Sequence, residues 1–73
     1  MVPLKLMKVG DKVRVMAITG TDAVRKHLGS LGFIAGVVVS VVQVTDGSMI
    51  IGVHDSRIAI NPDVAARVMV RPE

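Results

Sequence analysis

Hydrophobic positions along the chain change period repeatedly, and each change marks an element. Leu4, Leu6 and Val9 run into Gly10-Asp11, a leading segment that ends in a turn. Residues 12–19 then alternate, with Val13, Val15 and Ala17 set between Lys12, Arg14 and Met16, the period of a half-buried strand. Gly20-Thr21-Asp22 breaks that strand and offers Thr21 or Asp22 as an N-cap acceptor. Beyond it Val24, Leu28 and Leu31 recur at helical spacing on one face, with Arg25 and Lys26 directed away from it.

The helix is predicted to stop at Gly32, because a residue without a Cβ enters a left-handed C-cap without steric cost. Phe33, the one aromatic residue, is placed to fold back onto the last helical turn. Gly36 opens a valine-rich segment, residues 37–44, apolar at nearly every position. This is either a central strand covered on both sides or a bent strand with its corner near Ser40. Asp46-Gly47 is a hairpin signal, since both central positions of a type I′ turn need positive φ. Residues 49–54 form the return strand, with Gly52 marking a bulge or a close backbone approach. A second tight turn is expected at Asp55-Ser56, then a short strand over residues 57–60 with Ile58 and Ile60 inward. Asn61-Pro62 reads as an N-cap with proline at the first helical position, opening one turn through Ala65. Residues 67–71 alternate basic and apolar side chains before Pro72.

Five strands, a helix between the first two and a helical turn before the last predict a mainly β fold, a small SH3-like barrel. An OB-type barrel is the nearest competitor, but its helix falls later in the strand order and its binding face usually offers aromatics. The chain of 73 residues is expected to be one domain, and at that size only about 60% of the unfolded surface is buried, so the core is small. Composition fits: 51% of residues are hydrophobic but 1% aromatic, leaving valine, isoleucine and leucine to build the interior. There is no cysteine, which removes disulfide and zinc-thiolate staples and suits a reducing cytosol. Lys5 and Lys8 interrupt any signal-peptide core, and no stretch approaches a membrane span of about 18 apolar residues, so a cytoplasmic location is expected.

Nine basic against six acidic side chains give a net charge of +3 without a run of like charges. That balance allows an acidic partner and is poor evidence for nucleic acid. A free-standing RNA-binding barrel is further disfavoured because single-stranded recognition relies on stacking platforms, which one phenylalanine cannot supply. Catalytic chemistry has no visible carrier: no Ser-His-Asp order, paired carboxylates or phosphate-cradling loop is present, so neither enzymatic activity nor GTP binding is expected. His27 and His54, with Asp55 beside the latter, are the candidates for holding a metal ion, but they match no ligand spacing and no metal site is assigned. The bland reading makes His27 a partly buried helix residue and His54 a turn residue.

The residues at the helix exit resemble the ferrous iron transport protein A (FeoA) family of small bacterial cytoplasmic proteins, over residues 4–71. The family pattern is Arg-x-x-Leu-x-x-Leu-Gly-Phe/Leu/Met-x-Pro-Gly before a valine-rich strand. Arg25, Leu28, Leu31, Gly32, Phe33 and Gly36 match it in order. Gly10 matches an early glycine, and Ile58, Ile60, Ala65, Val68 and Val70 fit the closing pattern. Three departures stand out: Ala35 replaces a common proline, the hairpin is reduced to Asp46-Gly47, and Asn61 replaces a frequent basic residue.

The resemblance implies a non-enzymatic accessory, without cofactor, to the FeoB-type membrane transporter of ferrous iron, docking on its cytoplasmic GTPase region at the inner face of the membrane. Domains of this shape also close metal-dependent repressors of the diphtheria toxin repressor type, which carry a helix-turn-helix domain first. Arg25, Lys26, Phe33 and Ile34 are the candidate partner-binding residues. The basic pair either meets acidic groups or is an ordinary solvated face. Phe33 either joins Ile34 in an exposed apolar knob or fills the core. Leu28, Leu31, Gly32 and Gly36 are the structural frame of the motif. Met16, Met49 and Met69 are expected on the outward side of their strands, where thioethers suit an adaptable contact surface. An uncovered edge strand would allow two copies to pair as a homodimer.

Overall fold

Valine supplies half of the fully buried set, and the fold is the one such residues favour: a curled antiparallel sheet. The computed structural model describes residues 1–73. Its strands are β1 (Val2–Pro3), β2 (Lys12–Ile18), β3 (Val38–Thr45), β4 (Ser48–Val53), β5 (Ser56–Ile60) and β6 (Val68–Pro72), and its helices are α1 (Asp22–Ser30) and α2 (Pro62–Arg67). A single 3-10 turn over Leu4–Leu6 follows β1. All neighbours in the six-stranded sheet, ordered β1-β6-β2-β3-β4-β5, pair antiparallel. The sixth strand, β1, is only two residues long and lacks any alternation that the sequence could reveal.

Two irregularities bend this sheet. The pairing register shifts between Val15 and Ala17 in β2 and between Val41 and Gln43 in β3. Each bulge increases local twist and turns the strand. The molecule consequently measures 29 × 24 × 24 Å, whereas a flat sheet would be far thinner in one direction. In β3, Val39 and Val41 face inward while Val38 and Val44 are exposed, so the strand is bent and covered on one side, with its corner at Val42 rather than Ser40.

The interior holds Leu4, Leu28, Phe33, Met49, Ile51, Ile60, Ala65 and the valines at 13, 15, 39, 41, 53, 68 and 70, with no buried polar side chain. Met49 is therefore a core residue, contrary to its expected outward position. It precedes Ile51 by two in β4 and so shares its face, and α2 packs across that strand. Met16 and Met69 are half-buried, and Met69, set between the buried Val68 and Val70 in β6, lies on the outward side as expected.

Local chemistry sets the element ends. Thr21, not Asp22, caps α1, its hydroxyl accepting from the Val24 N–H at 3.3 Å. Asn61 caps α2 in the same way, accepting from the Val64 N–H at 2.8 Å, with Pro62 in the first turn. The helix runs to Arg67, two residues beyond the expected stop, because Val68 is the first to turn extended. Asp46 and Gly47 have φ of 51° and 84°, the pair of positive values that a type I′ hairpin requires. The second tight turn lies at His54-Asp55, one residue earlier than expected, because Val53 pairs with Ser56. No helix is long and apolar enough to cross a membrane.

Candidate functional site

The segment from Leu28 to Gly36 forms a corner with two hinges. At the first, Leu31 ends α1 in a helical conformation and Gly32 follows at φ +102°. The Gly32 N–H donates to the Gly29 carbonyl at 3.0 Å and the Phe33 N–H to the Leu28 carbonyl at 3.0 Å. These two bonds are the Schellman pattern, which satisfies helix carbonyls that would otherwise lack donors. Phe33 and Leu28, the residues that such a cap brings together, are each 1% exposed and belong to one apolar cluster.

At the second hinge Gly36 has φ +97°, its N–H donating to the Val15 carbonyl at 2.7 Å. The Arg14 guanidinium donates to the Gly36 carbonyl at 2.8 Å and also pairs with the Glu73 carboxylate at 2.8 Å. Arg14 thus ties the corner to β2 and to the C-terminal residue. Sequence reasoning missed this clamp because its ends lie 22 and 59 residues away from Arg14.

The named partner-binding residues separate. Phe33 fills the core and cannot form a surface knob, because its ring is drawn inward by the cap geometry. Ile34 alone projects, 56% exposed. Arg25 is engaged by Asp22, one helical turn earlier, so its charge is partly answered within the helix. Lys26 is exposed and makes no ion pair. Leu31 is half-buried against the core, where its helical spacing placed it. His27 is exposed rather than partly buried, although it flanks the apolar stripe of Val24 and Leu31.

His54 and Asp55 sit at the tip of the β4–β5 turn. No group of three His, Cys, Asp or Glu side chains converges to hold a metal ion, so the two stay an adjacent pair without a third donor. His54 instead borders an open groove on the outer sheet face, lined by Lys12, Val38, Val39, Ser40, Gly52 and His54. Gly52 is a close approach and not a bulge: a Cβ there would stand 2.8 Å from the Ser40 hydroxyl.

Helix-capped corner, curled six-stranded sheet and apolar interior define a small SH3-like domain that presents surfaces and no reactive cluster. A FeoA domain model matches residues 2–72, and the chain belongs to that family. It is similar to a crystal structure of an iron uptake regulatory protein, FeoA, with 40% identity and a TM-score of 0.90, covering 99% of this chain and 96% of that one. It also resembles the zinc-complexed FeoA of Stenotrophomonas maltophilia, a prokaryotic SH3 domain protein, at 25% identity and TM-score 0.83, covering 97% of this chain and 91% of that one. The metal-dependent transcriptional regulator MtsR shares the fold at 14% identity and TM-score 0.83, with 94% of this chain matching 35% of that protein. No curated protein matches the chain.

Proposed function

We propose that the protein is a non-enzymatic accessory of ferrous iron uptake that docks on the cytoplasmic GTPase region of an FeoB-type transporter. The observation that carries this reading is membership of the FeoA family over residues 2–72. The S. maltophilia relative is described as a candidate ferrous iron transport activating factor, which supports the same role. The corner offers the means: Ile34 is a lone exposed apolar side chain held by a rigid cap, and Lys26 is an unpaired cation on the adjoining helix. An apolar anchor beside a charge that speeds association is a common pairing at interfaces.

Calorimetric titration against the cytoplasmic GTPase domain of the transporter from the same organism, with and without nucleotide, tests this. Binding is expected in at least one nucleotide state, and the Ile34→Asp/Lys26→Glu variant should bind at least about tenfold more weakly, a loss of about 1.4 kcal/mol. Absence of binding in every nucleotide state defeats the reading. Equal binding by the variant moves the interface away from the corner.

A further inference from the structure

Strand register assembles a row of residues on the outer sheet face that are far apart in sequence. Lys12 in β2 pairs with Ser40 in β3, Ser40 with Gly52 in β4, and Gly52 with Arg57 in β5. Directly paired residues of an antiparallel sheet point to the same side. The order across four strands is therefore cation, hydroxyl, no side chain, cation. The groove occupies this dip, with Lys12 at one wall and His54 at its end, and Arg57 stands just beyond Gly52.

The charges in the row are uncommitted. Lys12, His54, Arg57 and the Ser40 hydroxyl have no hydrogen-bond or ion-pair partner within the chain. Of the carboxylates on flanking segments, Glu73 is held by Arg14, and Asp55 follows His54 at the turn tip. On the β2 side Arg14 pairs in register with Arg71, which extends the basic face.

We propose that this groove is a docking site for an extended acidic segment of a partner protein, carrying carboxylates at positions i and i+4 with a small polar residue between them. Three strand-to-strand steps of about 4.8 Å separate Lys12 from Arg57 by about 14 Å along the curved sheet. An extended chain rises about 3.3 Å per residue, so two carboxylates four residues apart are separated by about 13 Å and face the same side. The residue at i+2 meets the Ser40 hydroxyl, which leans over Gly52 on the groove floor and can bond to a small polar side chain. A nucleic acid fits less well, because the face has no aromatic platform: Phe33 is buried. The site goes beyond the uptake role and stands whether or not the corner docks on a transporter.

The test is fluorescence anisotropy at low ionic strength with a fluorescein-labelled peptide, Thr-Thr-Glu-Thr-Ser-Thr-Glu-Thr-Thr, and the full chain. Saturable binding is expected, at least about tenfold weaker for Lys12→Glu/Arg57→Glu. The milder Lys12→Gln/Arg57→Gln pair, read alongside, should weaken it in the same direction without reversing charge. Lys5→Glu/Arg67→Glu changes the net charge equally but lies on the 3-10 turn and α2, and should bind as the unaltered protein does. A peptide with its glutamates two residues apart should bind more weakly. No binding, equal losses from the groove variants and the Lys5→Glu/Arg67→Glu variant, indifference to glutamate spacing, or tighter binding of an oligo-dT octamer would each overturn the proposal.

Discussion

Gly32 lies so close to Val53 that a Cβ added to it would stand 2.8 Å from the Val53 Cγ1 atom. The helix cap is thereby pressed onto the end of β4, and glycine is required twice, for its φ of +102° and for space. Gly32→Ala combines a left-handed backbone cost of about 1–2 kcal/mol with overpacking of about 1–3 kcal/mol. Urea unfolding should show a loss of about 2–4 kcal/mol, and the loss in the Gly32→Ala/Val53→Ala pair should fall short of the sum of the two single losses, since the two sites are in contact. A loss below about 0.5 kcal/mol, within the range of an ordinary surface change, would show that the cap does not latch α1 to the sheet.

Phe33 and Ile34 are neighbours with opposite roles. Phe33 is 1% exposed and Ile34 56%. Phe33→Ala removes the largest buried side chain and should cost about 3–5 kcal/mol, while Ile34→Ala should stay within about 0.5 kcal/mol. Thermal and urea unfolding of the two variants measures the contrast. A marked loss of stability for Ile34→Ala would mean that it packs on the body of the domain and is no free anchor.

The corner could be read from sequence because its determinants are local. Gly32 and Gly36 need positive φ, Thr21 and Asn61 sit where cap acceptors must, and Leu28 to Phe33 closes through bonds spanning at most five residues. What depends on pairing between distant strands could not be read. The bulges near Met16 and Val42 come from curvature, β1 is too short to show a period, and Met49 turns inward because α2 covers β4. The row from Lys12 through Ser40 and Gly52 to Arg57 is likewise invisible until the register is fixed, since a one-residue slip would send a strand's side chains to the other face. In sequence Gly52 signals either a bulge or a close backbone approach. In the fold that approach becomes the floor of a groove between two cations.

Gly29 offers the opposite case to Gly32. It lies within α1, where its φ is not positive, and a Cβ there would meet nothing within 4 Å. Gly29→Ala should therefore raise stability by about 0.5–1 kcal/mol, because alanine loses less backbone freedom on entering a helix. Its carbonyl still accepts from the Gly32 N–H, so the cap is retained. A rise in urea midpoint without a change in slope is the expected result. A fall would indicate that the last turn of α1 packs too tightly at Gly29 to admit a methyl group.

His54 holds φ at +54° at the first position of the two-residue β4–β5 turn, a backbone region that favours glycine. A non-glycine residue there carries a cost of about 1–2 kcal/mol, reduced for asparagine, which visits the left-handed region more readily. Melting temperatures should therefore rank His54→Gly highest, then His54→Asn, then the unaltered protein, with His54→Val lowest because a β-branched side chain tolerates the conformation least. Strain of this kind persists where a side chain is wanted in a particular place, and the imidazole stands at the end of the groove beside Ser40 and Gly52. His54→Gly should accordingly be more stable but bind the acidic peptide more weakly. If it gains stability and binds the peptide unchanged, the strained histidine has no part in the groove.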